Sequence, residues 1–339
     1  MPAVKHTHTQ APFSPLVDTP PATDRSAKSD RHLLYLLMTP VIATMLNFSA
    51  FSVALPIVRN EFAIGADLAA WLVIAYTLPF MVLMPLYGRL GDGLGKRNLI
   101  VIGVGIFVMG TMLAMTARGM GWLTVARVVQ GAGLSGIMPL SIAIISERFA
   151  PTERGRALGF WNSVGPLFGI GGPVLAGLII DQWGWRPVFL PAFIAGIIAF
   201  VAVYLGIPSL RQMRISYLRT FDWIGVFLLT LAVTLLIAFV SSRPITGVAP
   251  LRDGRLLLAS LLTIVIFIWR EDRVSSPFLR LALFRNQTLI RAAIVSGLRM
   301  FTMSGIGFLM PLYLVDVRGL SASAIGMILM LNAAALLLT

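Results

Sequence analysis

Cysteine is absent from this 339-residue sequence, which excludes disulfide staples and thiolate metal sites. Histidine is nearly so. His6, His8 and His32 all lie in the first 32 residues, and the rest of the chain has no imidazole for metal binding or for proton transfer near neutral pH. Charge is scarce, at 12% of residues, and lopsided, with 14 acids against 27 bases. None of those acids stands deep inside an apolar run. No nucleophile, base and acid cluster together either, so an enzyme reading has little support and no catalytic, metal or cofactor site is expected.

What is plentiful is hydrocarbon. Hydrophobic residues make up 57% of the chain and mean hydropathy is +0.86, far from the balance of a soluble domain. A bilayer core about 30 Å thick asks about 20 apolar residues of a crossing helix. Ten runs meet or approach that, at 33–56, 68–87, 98–117, 122–145, 157–180, 187–207, 222–240, 255–269, 288–314 and 321–339. The eighth is short, which predicts snorkelling of Arg255 and Arg270 at its ends or a thinned bilayer. The predicted fold class is therefore all-α, a polytopic membrane protein. Residues 1–32, proline-rich and of mixed charge, are predicted to be a disordered cytoplasmic tail. They do not read as a signal peptide, because the apolar run behind them is too long and starts too late. With the N terminus inside, the cytoplasmic segments collect most of the bases, among them Lys96, Arg97, Arg148, Arg154 and Arg156, as the positive-inside rule requires. Anionic headgroups then explain the net charge of +13, and no nucleic-acid partner is needed.

Five places carry residues that an apolar span does not ask for. The stretch YGRLGDGLGKRN (87–98) separates the second and third runs. Its Gly88, Gly91 and Gly95 suit a tight turn with close backbone approach or positive φ, and Asp92 suits a helix cap paired with Lys96 or Arg97; an ordinary charged hairpin is the alternative. Arg127 lies within the fourth run, where a guanidinium costs about 2.5 kcal/mol or more without a cavity or a partner. It either snorkels from near the outer end or works there, with Gln130 one turn on. A second guanidinium, Arg299, falls in the ninth run. The fifth run holds Gly165, Gly169, Gly171, Gly172 and Gly177, a smooth face for close packing, bent by Pro166 and Pro173. In the first run, LNFSAFSVALPIV (46–58) sets Asn47 and Ser52 among apolar neighbours. Asn47 there bonds a substrate, a water or a neighbouring helix.

The spacing of the 87–98 stretch resembles the G-x-L-a-D-x-x-G-[KR]-[KR] signature that the major facilitator superfamily carries between helices 2 and 3. RVVQGAGLSGIMP (127–139) is similar to its helix 4 motif, and GPLFGIGGPVLAG (165–177) to its helix 5 antiporter motif, with Gly172, Pro173, Ala176 and Gly177 in the matching places. LNFSAFSVALP, WGWRPVF (183–189), FDWIG (221–225) and PLYLVDVRGLSASAIG (311–326) look like the fourteen-helix drug:proton antiporter branch. The resemblance covers 33–339. It implies a six-helix bundle over 33–207, two inserted linker helices over 208–270, and the opening of a second bundle over 271–339. It also implies efflux of small drug-like amphiphiles coupled to protons across the plasma (inner) membrane. By the same resemblance, Asn47, Ser52, Arg127, Gln130 and Arg299 belong to the substrate and coupling cavity, with Met45 and Phe48 as its apolar wall. Gly88, Asp92, Gly95, Lys96 and Arg97 form the cytoplasmic gate.

An internal echo agrees with two bundles: Pro56 is followed by Ala69 and Trp71, and Pro311 at the same offsets by Ala324 and Gly326. Two departures stand out. The branch has four more helices than these ten runs, and the chain stops at Thr339 while still apolar, so a C-terminally truncated form is expected; a transport-incompetent product or a scaffolding subunit is the alternative reading. The family's first-helix acid is Asn47 here, which cannot carry a proton.

Overall fold

A computed structural model describes residues 27–208, 221–241, 254–274 and 286–335. Among them there is no strand. The helices, in chain order, are α1 (Ala27–Glu61), α2 (Ala66–Leu94), α3 (Lys96–Met115), α4 (Met120–Leu134), α5 (Ile137–Arg148), α6 (Pro151–Asn162), α7 (Val164–Trp183), α8 (Leu190–Gly206), α9 (Trp223–Val240), α10 (Gly254–Glu271), α11 (Gln287–Asp316) and α12 (Ala322–Ala335), with a 3₁₀ turn at Arg186–Phe189 before α8.

Two crossings are interrupted once, Met120–Arg148 between α4 and α5 and Pro151–Trp183 between α6 and α7. Each break falls about four residues before a proline, Pro139 or Pro166. A proline nitrogen has no hydrogen for the carbonyl one turn back, and its ring crowds that carbonyl. Serine hydroxyls at the breaks answer neighbouring carbonyls, Ser135 donating to Ala132 and Ser163 to Phe160, both at 2.7 Å.

Eight helical stretches among the described residues are long and apolar enough to cross a membrane. The eighth and tenth predicted spans fall on α10 and α12. α10 carries Arg255, Arg270 and Glu271 within 18 residues, and α12 is described over 14, so neither reaches that length and composition. The helices also overrun their predicted ends. α1 begins at Ala27, inside the segment expected to be tail, and α2 runs on to Leu94. Residues 1–26 and the bases Arg211, Arg214, Arg219, Arg280 and Arg285 lie outside the described residues.

α1 lies against α7 and α8, α4 is held between α2 and α3, and α3 also packs on α8. Small residues permit the sandwich around α4. A methyl on Gly131 would strike the Tyr76 carbonyl of α2, and one on Gly133 would strike the Gly103 carbonyl of α3. Two residues apart on a helix means nearly opposite faces, so one short motif lets two neighbours come close. α9 and α10 pair with each other, pinned by Arg270 to Asp222 at 2.6 Å, while Asp222 also caps α9 through the Gly225 N–H at 2.9 Å. α12 runs along α7. α11 meets α1 near its Asp316 end, and nearly every residue from 287 to 307 is exposed.

Candidate functional site

The polar centre of the first six crossings is built around Arg127. Its side chain is only 1% exposed. The guanidinium lies 3.9 Å from the centre of the Phe51 ring on α1 and 4.3 Å from that of Tyr76 on α2. It donates to Gln130 Oε1 at 2.9 Å and, at a long 3.4 Å, to the Leu72 carbonyl. Gln130 Nε2 passes the chain to the Thr111 hydroxyl on α3 at 3.2 Å, and that hydroxyl donates to the Phe107 carbonyl at 2.8 Å.

Magnitudes show why no carboxylate is required. Arginine at mid-membrane depth costs about 2.5–3.5 kcal/mol on insertion scales. Each desolvated cation–π contact contributes about 2 kcal/mol, and a hydrogen bond to a charged group about 1.5–3 kcal/mol. The aromatic faces and the glutamine outweigh the cost. The Arg127 side chain is enclosed within the bundle and does not snorkel to the interface. Phe51 and Tyr76 were not singled out in the sequence. The signal available was the arginine itself, since a buried cation without an acid needs aromatic faces.

Asn47 is completely buried. It lies beside the Tyr76 hydroxyl, but neither atom of its amide makes a hydrogen bond of regular geometry. It points into the first bundle, whereas Phe48, next in sequence, is 56% exposed, and Met45 and Ser52 share that open stripe of α1. Ser52 donates back to the Ser49 carbonyl at 2.9 Å. The residues expected to line one cavity differ in burial. Arg127, Gln130 and Asn47 are buried inside the bundle, Phe48 is exposed with Met45 and Ser52 half-buried on the same side of α1, and Arg299 is exposed on α11, apart from the Arg127 cluster.

The 88–97 segment is not a loop. Backbone hydrogen bonding continues through Gly88 and Asp92 to Leu94, and only Gly95 turns, at φ 87°. No helix starts at Asp92, so it caps nothing. It is exposed and forms no ion pair among the described residues. Lys96 reaches Glu147 at 2.5 Å instead, and Arg97 donates to the Tyr204 carbonyl while lying 5.0 Å over the Tyr204 ring. Of the three glycines, Gly91 packs on Leu140, Gly95 turns, and Gly88 has open space.

On α7, Gly172 faces Ser49 of α1, Ala176 is buried, and Gly177 meets the backbone of Ala322 and Ser323 at the start of α12. Pro173 sits inside α7, and its carbonyl is met by Gly326 of α12.

The pattern of the Major Facilitator Superfamily matches residues 39–339. The chain belongs to that superfamily. As a superfamily member it is a multi-pass membrane protein and not an enzyme. Multidrug resistance protein Stp of Mycobacterium tuberculosis is 30% identical over 301 residues, which is 88% of this chain and 56% of that protein. Riboflavin transporter RibZ of Clostridioides difficile is 28% identical over 298 residues, covering 88% of this chain and 63% of its own. The chain thus spans little more than half the length of these superfamily relatives. A solved peptide transporter, POT in complex with sulfate, superposes with a TM-score of 0.57 at 12% identity, over 91% of this chain and 65% of that one, which supports the fold.

Proposed function

We propose that this superfamily member moves small amphiphilic molecules out of the cell by exchange with protons, in a plasma membrane that its N terminus enters from the cytoplasm. The observation that carries the reading is the similarity to a multidrug resistance protein over 88% of this chain. The open stripe of α1 supports the substrate class, because an exposed phenylalanine and a thioether, Phe48 and Met45, offer an adaptable apolar wall and Ser52 adds one hydroxyl. Residues 33–207 act as the first rocking body, 208–270 as inserted helices, and 271–339 as the opening of the second body. Arg127 and Gln130 fix the interior of the first body, so that α1, α2, α3 and α4 move as one. The 88–97 turn and the glycine face of α7 govern which side is open. Asn47 does not titrate, and the proton is carried by another group.

The test is accumulation of a fluorescent amphiphile by cells making this protein, with the proton gradient intact and collapsed. Lower accumulation that returns to the control level on collapse supports the reading. Accumulation unchanged by the protein in either condition rejects it.

A further inference from the structure

Near the end of α7, the Asp181 carboxylate accepts the backbone N–H groups of Ala322 at 3.1 Å and Ser323 at 3.0 Å, the first two residues of α12. A helix start leaves such donors unpaired, and the usual remedy is a side chain just before it. Ser321 holds that place but shares its hydroxyl with Ser323 and Ala324. Ser321 thus takes the third N–H, of Ala324, and the first two are taken by a carboxylate from another helix, aimed at the positive end of the α12 dipole.

Three further contacts lie at the same end. Gly177 admits the Ala322 carbonyl, Gly326 admits the Pro173 carbonyl, and a methyl at either glycine would collide with backbone. Arg59, near the end of α1, grips both oxygens of Asp316 at the end of α11, at 2.6 and 2.5 Å. Among the described residues no such contact is found at the opposite end, where α11 stands clear of the other described helices from 287 to 307.

We infer that Asp181 is a latch, a carboxylate on α7 that grips the start of α12 and holds α11 and α12 against the first six crossings at the membrane face where α1 ends. The ion pair of Arg59 with Asp316 is bidentate, with Arg59 half-buried and Asp316 facing solvent. Asp181, itself exposed, meets two aligned donors and a helix dipole, and the two polar contacts hold the same rim together. The release of Asp181 opens that face. The transport reading gives the opening a purpose, but the contact itself is measured without transport, so either idea can fail alone.

The absence of native cysteine makes the test direct. Ser52→Cys places one reporter thiol on the open stripe of α1, two turns inside Arg59. Its modification by a membrane-impermeant maleimide is timed in vesicles of each orientation, with reagent on the face where α1 ends. Asp181→Ala is expected to raise the rate about tenfold, with Asp181→Asn in between. Ala322→Pro removes one donor from the other partner and leaves α7 untouched, and proline is tolerated at a first helical position. It is expected to raise the rate in the same direction. The double variant should then be no faster than Asp181→Ala, since both break one contact. Rates within about twofold of the Ser52→Cys parent in both Asp181→Ala and Ala322→Pro, at equal inserted amounts, overturn the latch. If Asp181→Ala does not insert, Ala322→Pro decides alone.

Discussion

Arg127 and Arg299 both lie well inside membrane helices, and their surroundings could hardly differ more. Arg127 is enclosed by two aromatic rings, a glutamine and a carbonyl. Arg299 sits on a stretch of α11 that the other described helices leave exposed. The same side chain is enclosed by partners in one region and exposed in the other. Partners, more than position in an apolar run, decide what an intramembrane charge contributes. The glycines repeat the contrast: Gly131 and Gly133 are pressed against neighbouring backbone, while Gly297, Gly305 and Gly307 of α11 have nothing within 4 Å.

The contrast breaks most visibly at the arginines. Arg127→Ala should lower unfolding free energy by about 3 kcal/mol, through lost contacts and a stranded Gln130, whereas Arg299→Ala should change it by less than about 0.5 kcal/mol. Denaturation of the purified protein in detergent, followed by circular dichroism, measures both; equal effects would end the distinction. The next largest difference is expected at the glycines. Gly131→Ala drives a methyl into the Tyr76 carbonyl and should cost about 2 kcal/mol or more. Gly305→Ala meets open space and should be neutral or stabilising by up to about 1 kcal/mol, from helix propensity. The same denaturation curves read it, and a destabilised Gly305→Ala would show that α11 is packed after all. The smallest effect sharpens the account of the aromatic partners. Tyr76→Leu removes one ring face from Arg127 and should cost about 1–2 kcal/mol, while Tyr76→Phe keeps the face and should cost less than about 0.5 kcal/mol. A Phe variant as damaged as the Leu variant would assign the work to the hydroxyl beside Asn47.

Much of this was legible in the sequence, for identifiable reasons. The crossings follow from run length, and Arg127 announced itself because charge is costly in hydrocarbon. The close glycine contacts of α4 and α7 were visible as small residues spaced for packing. Other features were not legible. One residue of helix is about 100° of rotation, and that alone sends Asn47 into the bundle while Phe48 faces out, so its lining role did not follow from being in the run. The glycines and charges of 88–97 suggested a loop, yet the helix hydrogen bonds persist to Leu94, because Gly91 gains the close packing on Leu140 that helical geometry allows. The cap of α12 by Asp181 joins residues 141 positions apart, beyond the reach of any local capping pattern.

The glycine contact between α7 and α12 also bears on how readily the two helices part. Where carbonyls of Pro173 and Ala322 rest against glycine, the contact is made of backbone and weak C–H···O attraction. Interlocking leucines would have to settle into fixed rotamers each time the face closed and regain their freedom each time it opened. Glycine has no side chain to order, so parting and rejoining this contact would lose and recover almost no rotamer entropy. The surface is suited to repeated use, and the hold on it is left to a few polar groups at the rim.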